Sequence, residues 1–304
     1  MEGSRPFDSE LDFDQPRRNR PSDPPPLRGR RRKRRRPKRD RSETLARIAW
    51  AIPWIAIVVT IAIVGGELFA AAMIGFGCVG IYEFFRMVRD ARPFEMVAFA
   101  ACAALVAAAF YGDQFQMMIV LMVSVAAIFL ASVMRPEREG ITVSIALTIF
   151  GIVWIGIPFA HAVLLRELPE HGAGLLVDVL VATFVADTAA YAGGRLFGRH
   201  RLAPALSPNK TLEGLAFGIV GGTLGFWFAG LYQDWLPGVD ALVMGACVAA
   251  LAPVGDLFES MIKRDLGIKD SGTIFGPHGG LLDRLDAVLF TIVAGYYLAV
   301  AFLY

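Results

Sequence analysis

The sequence predicts an all-α polytopic membrane protein, with about nine transmembrane helices following a disordered, basic N-terminal tail. Three observations carry that expectation. Hydrophobic residues make up 55% of the 304-residue chain and mean hydropathy is +0.52, more apolar than a water-soluble domain is on average. Uncharged runs close to twenty residues long recur from residue 48 onward, the length a helix needs to cross about 30 Å of hydrocarbon. The charge is also divided: residues 1–47 hold 16 Lys/Arg against 8 Asp/Glu, and residues 48–304 hold 14 against 20.

Residues 1–44 are rich in Pro, Arg and Asp with almost no apolar periodicity, a composition that cannot bury enough surface to offset the entropy of ordering. No secretory signal is evident there. The stretch RGRRRKRRRPKRDR (28–41) places eleven basic residues just before the first span. Such a cluster holds a tail in the cytosol and also attracts anionic headgroups, at roughly 1 kcal/mol per residue near the surface. Nothing aromatic is interleaved with these charges, so nucleic acid is not an expected partner. Cys78, Cys102 and Cys247 all lie in apolar runs without metal-ligand spacing or a disulfide framework, and read as small buried hydrophobes.

The expected spans are 48–64, 68–85, 96–111, 115–134, 141–165, 173–194, 214–232, 241–258 and 285–303. The first two are divided only by Gly65-Gly66-Glu67, where a tight hairpin is assumed. With the tail inside, alternate loops collect Arg86, Arg89, Arg92, Arg135, Arg138, Arg195, Arg199, Arg201, Lys210, Lys263, Arg264, Lys269 and Arg284 on the cytosolic side, against Arg166 alone opposite. That asymmetry is a positive-inside pattern. It predicts a multi-pass protein of the inner (plasma) membrane, N-terminus and active site cytoplasmic, C-terminus outside. Three regions follow: a tail (1–47), N-terminal spans (48–139), and a catalytic membrane region (140–304) carrying two long cytosolic loops.

Those two loops, about 195–213 and 259–284, concentrate the polar residues at one membrane face. A transporter spreads them around a midplane site instead. The pattern favours chemistry on a water-soluble molecule. In GDLFESMIKRDLGIKDSGTIFGPHGGLLDRLDA (255–287), Asp256, Ser260 and Lys263 share a helix face. Asp283 and Asp286 share another at the start of the last span, where carboxylates also suit a helix N-terminus. Asp256, near the end of a span, has no such benefit. Carboxylates without a His or Cys cluster suit a hard cation, Mg2+ above zinc or copper. Lys263, Arg264 and Lys269, with the glycine-rich turn Gly276-Pro277-His278-Gly279-Gly280, add the cations and approachable backbone that phosphate recognition uses. A plain re-entry turn is the other reading of those glycines.

The order Ser260-x-x-Lys263-Arg264, Lys269-Asp270, Pro277-His278-Gly279-Gly280-x-x-Asp283-Arg284-x-Asp286 closely resembles the signature of phosphatidate cytidylyltransferases, the CDP-diacylglycerol synthases, with no departure inside it. A second stretch, ADTAAYAGGRLFGRHRLAPALSPNKTLEG (186–214), is similar to the family's other cytosolic region through Asp187, Ala190, Tyr191, Gly194, Arg195, Ser207, Pro208, Asn209, Lys210, Thr211, Glu213 and Gly214. The resemblance covers about residues 140–304.

It implies transfer of CMP from CTP to phosphatidic acid, giving CDP-diacylglycerol and pyrophosphate. It also implies a dimetal centre, Mg2+ with a second monovalent or divalent cation, held first by Asp256 and Asp283. Asp286 is a further catalytic candidate, with a salt bridge to Arg284 as its other role. Lys263, Arg264 and Lys210 are expected on phosphates. Ser207, Asn209 and Thr211 are expected in the nucleotide pocket, with Ser207-Pro208 equally readable as a turn. Glu213, Ser260, Lys269, Asp270, Gly279, Gly280, Arg284, Tyr191 and Arg195 complete the substrate-binding set, and Asp187 is a polar wall or metal contact. A phosphate monoester is mostly deprotonated at neutral pH, its second pKa being about 6. His278 therefore serves as well by ordering the turn or bonding substrate as by acting as general base. Expected partners are CTP, phosphatidic acid, membrane lipids and, from the resemblance, a second copy in a homodimer. Other CTP-using membrane transferases, such as a prenol kinase or an archaeal-type lipid cytidylyltransferase, are the rival enzymes. A transporter or lipid-binding scaffold is the rival of another class, hinted at only by intramembrane Asp178 and Asp187.

Overall fold

A computed structural model describes residues 58–272 and 279–304. A helical stretch over 58–64 breaks at Gly65 and Gly66, both with positive φ (68° and 61°), which answers to the division expected at 65–67. The helices that follow are α1 (Gly66–Met87), α2 (Glu95–Tyr111), α3 (Gln114–Met134), α4 (Ile141–Arg166), α5 (Gly172–Phe197), α6 (Leu212–Gly230), α7 (Gly238–Asp265) and α8 (Leu282–Leu303). Among the described residues, seven of these are long and apolar enough to cross a membrane, and the 17-residue α2 is shorter. Eight of the nine expected spans thus answer to helices. The first, 48–64, lies mostly outside the described residues, as does the basic tail.

The sequence explains where several helices begin and bend. Asp113 caps α3 in a reciprocal box, accepting from the N–H groups of Phe115 (2.7 Å) and Gln116 (3.3 Å) while Gln116 accepts from Asp113 N–H (2.9 Å). Thr211 caps α6 through Gly214 N–H. In α4 a π-turn over Ile152–Gly156 precedes Pro158, where the missing N–H interrupts the α-helical ladder. Arg166, the lone basic residue on its side of the charge count, is occupied locally. Its guanidinium donates to the carbonyls of Ala62 (2.5 Å) and Ile63 (2.8 Å), closing the end of the 58–64 stretch as a cation at a helix C-terminus does.

The all-α expectation misses one element. Between α5 and α6 the chain forms an antiparallel hairpin, β1 (Arg201–Ala203) with β2 (Ser207–Thr211), pairing Arg201 with Thr211 and Ala203 with Ser207. Ser207-Pro208 therefore starts a strand, and the turn lies just before it. The short segment bears no apolar alternation, so nothing in its pattern announces a strand.

Packing is tightest where side chains are smallest. Gly214, Gly218 and Gly222, at every fourth residue of α6, meet Ala182, Ala186 and Ala190 of α5, the small-residue contact that lets membrane helices approach closely. A methyl group on Gly222 would lie 2.6 Å from Ala249 Cβ, 2.8 Å from Ala186 Cβ and 2.9 Å from the Ala182 carbonyl. Gly222→Leu is accordingly expected to destabilise the fold by at least about 1–3 kcal/mol, read as a lowered melting temperature in detergent. An unchanged melt would mean that α6 is free to move away. On the other side an aromatic chain, Phe84–Trp154–Phe258–Phe290, joins α1, α4, α7 and α8, with ring centroids 5.6, 5.4 and 5.3 Å apart. Cys102 is buried as expected, but Cys247 is exposed on the outside of α7 and is no core residue.

Candidate active site

Helix α7 crosses α8 at Gly255, where a Cβ would strike the backbone of Asp286 and Ala287. This contact brings the carboxylates of two spans together. Asp256 Oδ2 holds Lys210 Nζ of β2 at 2.5 Å, and Asp256 Oδ1 accepts from Ser260 Oγ at 3.3 Å, so the expected shared face of Asp256 and Ser260 is present. One turn later, Lys263 Nζ lies 3.2 Å from Glu259 Oε1 and 2.6 Å from Asp283 Oδ1. Asp283 Oδ2 accepts from the N–H groups of Ser271 and Gly280, each at 2.9 Å. Asp286, whose Oδ1 accepts from Ala287 N–H at 2.7 Å, has Asp256 and Asp187 as electrostatic neighbours. Asp187 in turn feels Asp256 and Lys210. Glu259 feels Asp286, Lys263 and Asp283.

The result is a row: Asp187, Asp256, Asp286, Glu259, Asp283, drawn from α5, α7 and α8. Among the described residues, five carboxylates share two ammonium groups, Lys210 and Lys263. Glu259 is fully buried and, beyond its ion pair with Lys263, neither of its oxygens accepts a hydrogen bond among the described residues, so the deficit of positive charge is concentrated inside the protein.

Gly279 has φ +85°, and a Cβ there would sit 2.6 Å from Asp283 Oδ2; a side chain would be both strained and in the way of the carboxylate. Gly280 supplies its N–H to that same oxygen.

The remaining expected residues divide by task. Arg264 Nε donates to the Leu206 carbonyl at 3.2 Å and ties the loop between α5 and α6 to the end of α7. Glu213 accepts from the N–H groups of Arg199 (3.0 Å) and His200 (3.2 Å) and contacts His200 Nδ1 at 2.6 Å, so its carboxylate folds the loop. Thr211 is the α6 cap. Arg195 donates to the Tyr191 hydroxyl at 3.0 Å on an exposed face. Asn209, Lys269 and Arg284 are exposed, and Ser207 is half-buried in β2. Asp270 and Ser271, with Tyr82, Glu83 and Arg86, line a cavity of about 230 Å³ beside α1. Gly276, Pro277 and His278 lie outside the described residues, and with them the expected role of His278.

Sequence reading passed over two acidic residues. Glu259 stands four before Lys263 in the quoted stretch, the helical pairing distance. Glu83, alone in the apolar run GIYEFF, is 2% exposed, and a lone carboxylate inside a span is itself a signal. Asp178 is the sequence's hint of a midplane site. It is fully buried, with both oxygens accepting from Gln233 Nε2 at 3.0 and 2.9 Å, a local pair separate from Asp187.

A model of the cytidylyltransferase family matches residues 45–302. The chain belongs to the cytidylyltransferase family. Within it, the chain is 38% identical over 153 residues to a phosphatidate cytidylyltransferase of Mycobacterium bovis, covering 50% of this chain and 49% of that protein. It is 40% identical over 150 residues to the phosphatidate cytidylyltransferase of Mycobacterium leprae, covering 49% and 47%. These matches thus span about half the length of the mycobacterial relatives. The phosphatidate cytidylyltransferase of Synechocystis is 31% identical over 300 residues, covering 84% of this chain and 97% of that protein.

Proposed function

We propose that this cytidylyltransferase-family member transfers CMP from CTP to phosphatidic acid, releasing pyrophosphate and forming CDP-diacylglycerol. The observation that carries the reading is the row of five carboxylates against two lysines at the ends of α5, α7 and α8. In the reaction, an oxygen of the lipid phosphate bonds to the α-phosphorus while the bond from that phosphorus to the β-phosphate oxygen breaks. The nucleophile is deprotonated at neutral pH, so no general base is needed. The obstacle is repulsion between two polyanions, which is overcome by positioning and charge neutralisation.

Lys210 and Lys263 are the ammonium groups for that work, each resting on a carboxylate, Asp256 and Asp283, within reach of a phosphate drawn into the row. Arg264 and Lys269 stand at the exposed edge, where they attract the anionic nucleotide. Ser260, Ser207, Asn209 and Tyr191 line the approach.

The donor set also fits a hard cation. Among the described residues no three His, Cys, Asp or Glu side chains converge as a finished metal cage; lysine ammonium groups lie instead on Asp256 and Asp283. The excess of carboxylates, all oxygen donors, matches Mg2+ and a companion cation. Asp256 and Asp283 would hold it, with Asp286 between them and Asp187 at the edge. A cation bound there supplies neutralisation of the charge that builds up on departing pyrophosphate. We further assign nine spans, a cytosolic N-terminus and an inner-membrane location, on the strength of the loop-charge asymmetry.

Membranes containing the chain should incorporate radiolabelled CTP into lipid when given phosphatidic acid and Mg2+. Product from a prenol or ether-lipid phosphate in preference to phosphatidic acid would replace the reading with another lipid substrate. Absence of CTP-dependent product with any lipid would overturn it.

A further inference from the structure

Glu83 is the one described carboxylate from the N-terminal helices that reaches the start of α8. Its Oε2 accepts from Leu282 N–H at 3.0 Å and from the Ser271 hydroxyl at 3.4 Å, contacts 199 and 188 residues away in sequence. Ser271 is the same residue whose N–H donates to Asp283 Oδ2 at 2.9 Å and whose hydroxyl accepts from Asp283 N–H at 3.4 Å. Glu83, Ser271 and Asp283 therefore form one connected chain of hydrogen bonds, with Gly280 N–H as its other support. Gly272 and Gly280 press their backbones onto the Glu83 carboxylate: a Cβ on Gly272 would come 2.8 Å from Glu83 Cδ, and one on Gly280 2.6 Å from Oε1. The neighbouring Phe84 is packed edge-on against Trp154 of α4, so Glu83 is presented from a rigid core.

The two hydrogen bonds on Oε2 tie α1 to the start of α8, but they satisfy only one of the two carboxylate oxygens. Glu83 Oε1 is buried and accepts no hydrogen bond among the described residues, an arrangement that disfavours folding compared with an apolar side chain of the same size. An acidic group held at such a cost inside an apolar helix, and directed at the segment that orients Asp283, requires a role beyond packing.

We propose that Glu83 is a positioning residue of the active centre: acting through Ser271 and Leu282, it fixes the orientation of the Asp283 carboxylate without touching substrate. The inference rests on the reaction proposed above, and it extends the catalytic apparatus from residues 140–304 into α1. A misplaced carboxylate lowers turnover while leaving nucleotide affinity largely intact, and a displacement near 1 Å costs on the order of 100-fold.

The test uses the full chain, purified in detergent, with CTP and phosphatidic acid varied separately. Glu83→Ala is expected to reduce kcat by about 10- to 100-fold, with KM for CTP changed by no more than about threefold. Glu83→Gln, which keeps an oxygen for Leu282 and Ser271, should recover most of that loss. Ser271→Ala should behave like Glu83→Ala, and the double variant should be no worse than the poorer single one, because both act on a single chain of contacts. The proposal is overturned by a Glu83→Ala kcat within twofold of the parent, by multiplying losses in the double variant, or by an effect confined to KM. If Glu83→Ala fails to fold, Glu83→Gln and Ser271→Ala decide alone: a Ser271→Ala kcat within twofold of the parent overturns it. An unsubstituted chain that makes no product sinks the reaction instead; an active parent with an unimpaired Glu83→Ala sinks only the positioning role.

Discussion

Lys263→Met is expected to abolish turnover and to weaken the fold by about 3–5 kcal/mol, the usual consequence of removing one partner from a buried ion pair. Lys263 has a side chain only 15% exposed, lies between Glu259 and Asp283, and serves both. Its loss strands a fully buried Glu259 and an Asp283 that is 13% exposed, beside Asp286. Methionine fills most of the volume, so the penalty comes from uncompensated charge and not from a cavity. Lys210→Met provides the contrast. That lysine and Asp256 are 24% and 33% exposed, open enough for water to screen the pair, and such pairs contribute roughly 0–1 kcal/mol. Both variants should lose at least about 1,000-fold in kcat/KM, since each removes a preorganised cation from a site where anionic charge gathers. Only the first should melt early. Thermal unfolding in detergent, run beside the CTP-incorporation assay, separates the two. A Lys263→Met protein as stable as its parent would mean that Glu259 and Asp283 do not depend on that ammonium.

The difference between Lys210 and Lys263 is also where sequence reading stops. Both were legible as phosphate-binding candidates from their motifs. That one is buried between two carboxylates while the other sits at a rim follows from the α7–α8 crossing at Gly255, which no local pattern announces. Spans were readable because twenty apolar residues are a length signal that tertiary context cannot override. The hairpin over 201–211 was not, since its strands are only three and five residues long and carry no apolar alternation. Asp256, Asp283 and Asp286 stood out as carboxylates at helix ends. Glu83 and Glu259 offered only a lone carboxylate in an apolar run and a four-residue spacing to Lys263, and their weight comes from burial and, for Glu83, from partners far away in sequence. Glu213 and Thr211, expected in the substrate-binding set from their motif, also fold the loop and cap α6, and a motif alone does not announce those contacts.

Asp283→Asn is expected to eliminate product formation, by at least about 1,000-fold, while leaving a folded protein. The two side chains have the same shape, but Asp283 uses both oxygens as acceptors: Oδ1 toward Lys263, Oδ2 toward Ser271 N–H and Gly280 N–H. Asparagine offers one oxygen and one NH2 group. Whichever way it turns, a donor faces either an ammonium group or two backbone N–H groups, and a buried donor left unpaired costs about 1–3 kcal/mol. The fold should tolerate that, because α8 remains anchored by Gly255, by the aromatic chain and by the buried Thr183–Thr291 hydrogen bond at 2.8 Å. Activity should not, since the substitution removes a charge that both orients Lys263 and would help to hold a divalent cation. Magnesium titration distinguishes these two losses. If cation affinity is what suffers, the residual rate of the Asn variant will keep rising at Mg2+ concentrations that already saturate the parent. If Lys263 is misdirected, the rate will saturate at the parental concentration and stay low. Near-normal turnover at ordinary Mg2+ would remove Asp283 from the chemistry and leave it as a tie between α8 and the segment around Ser271.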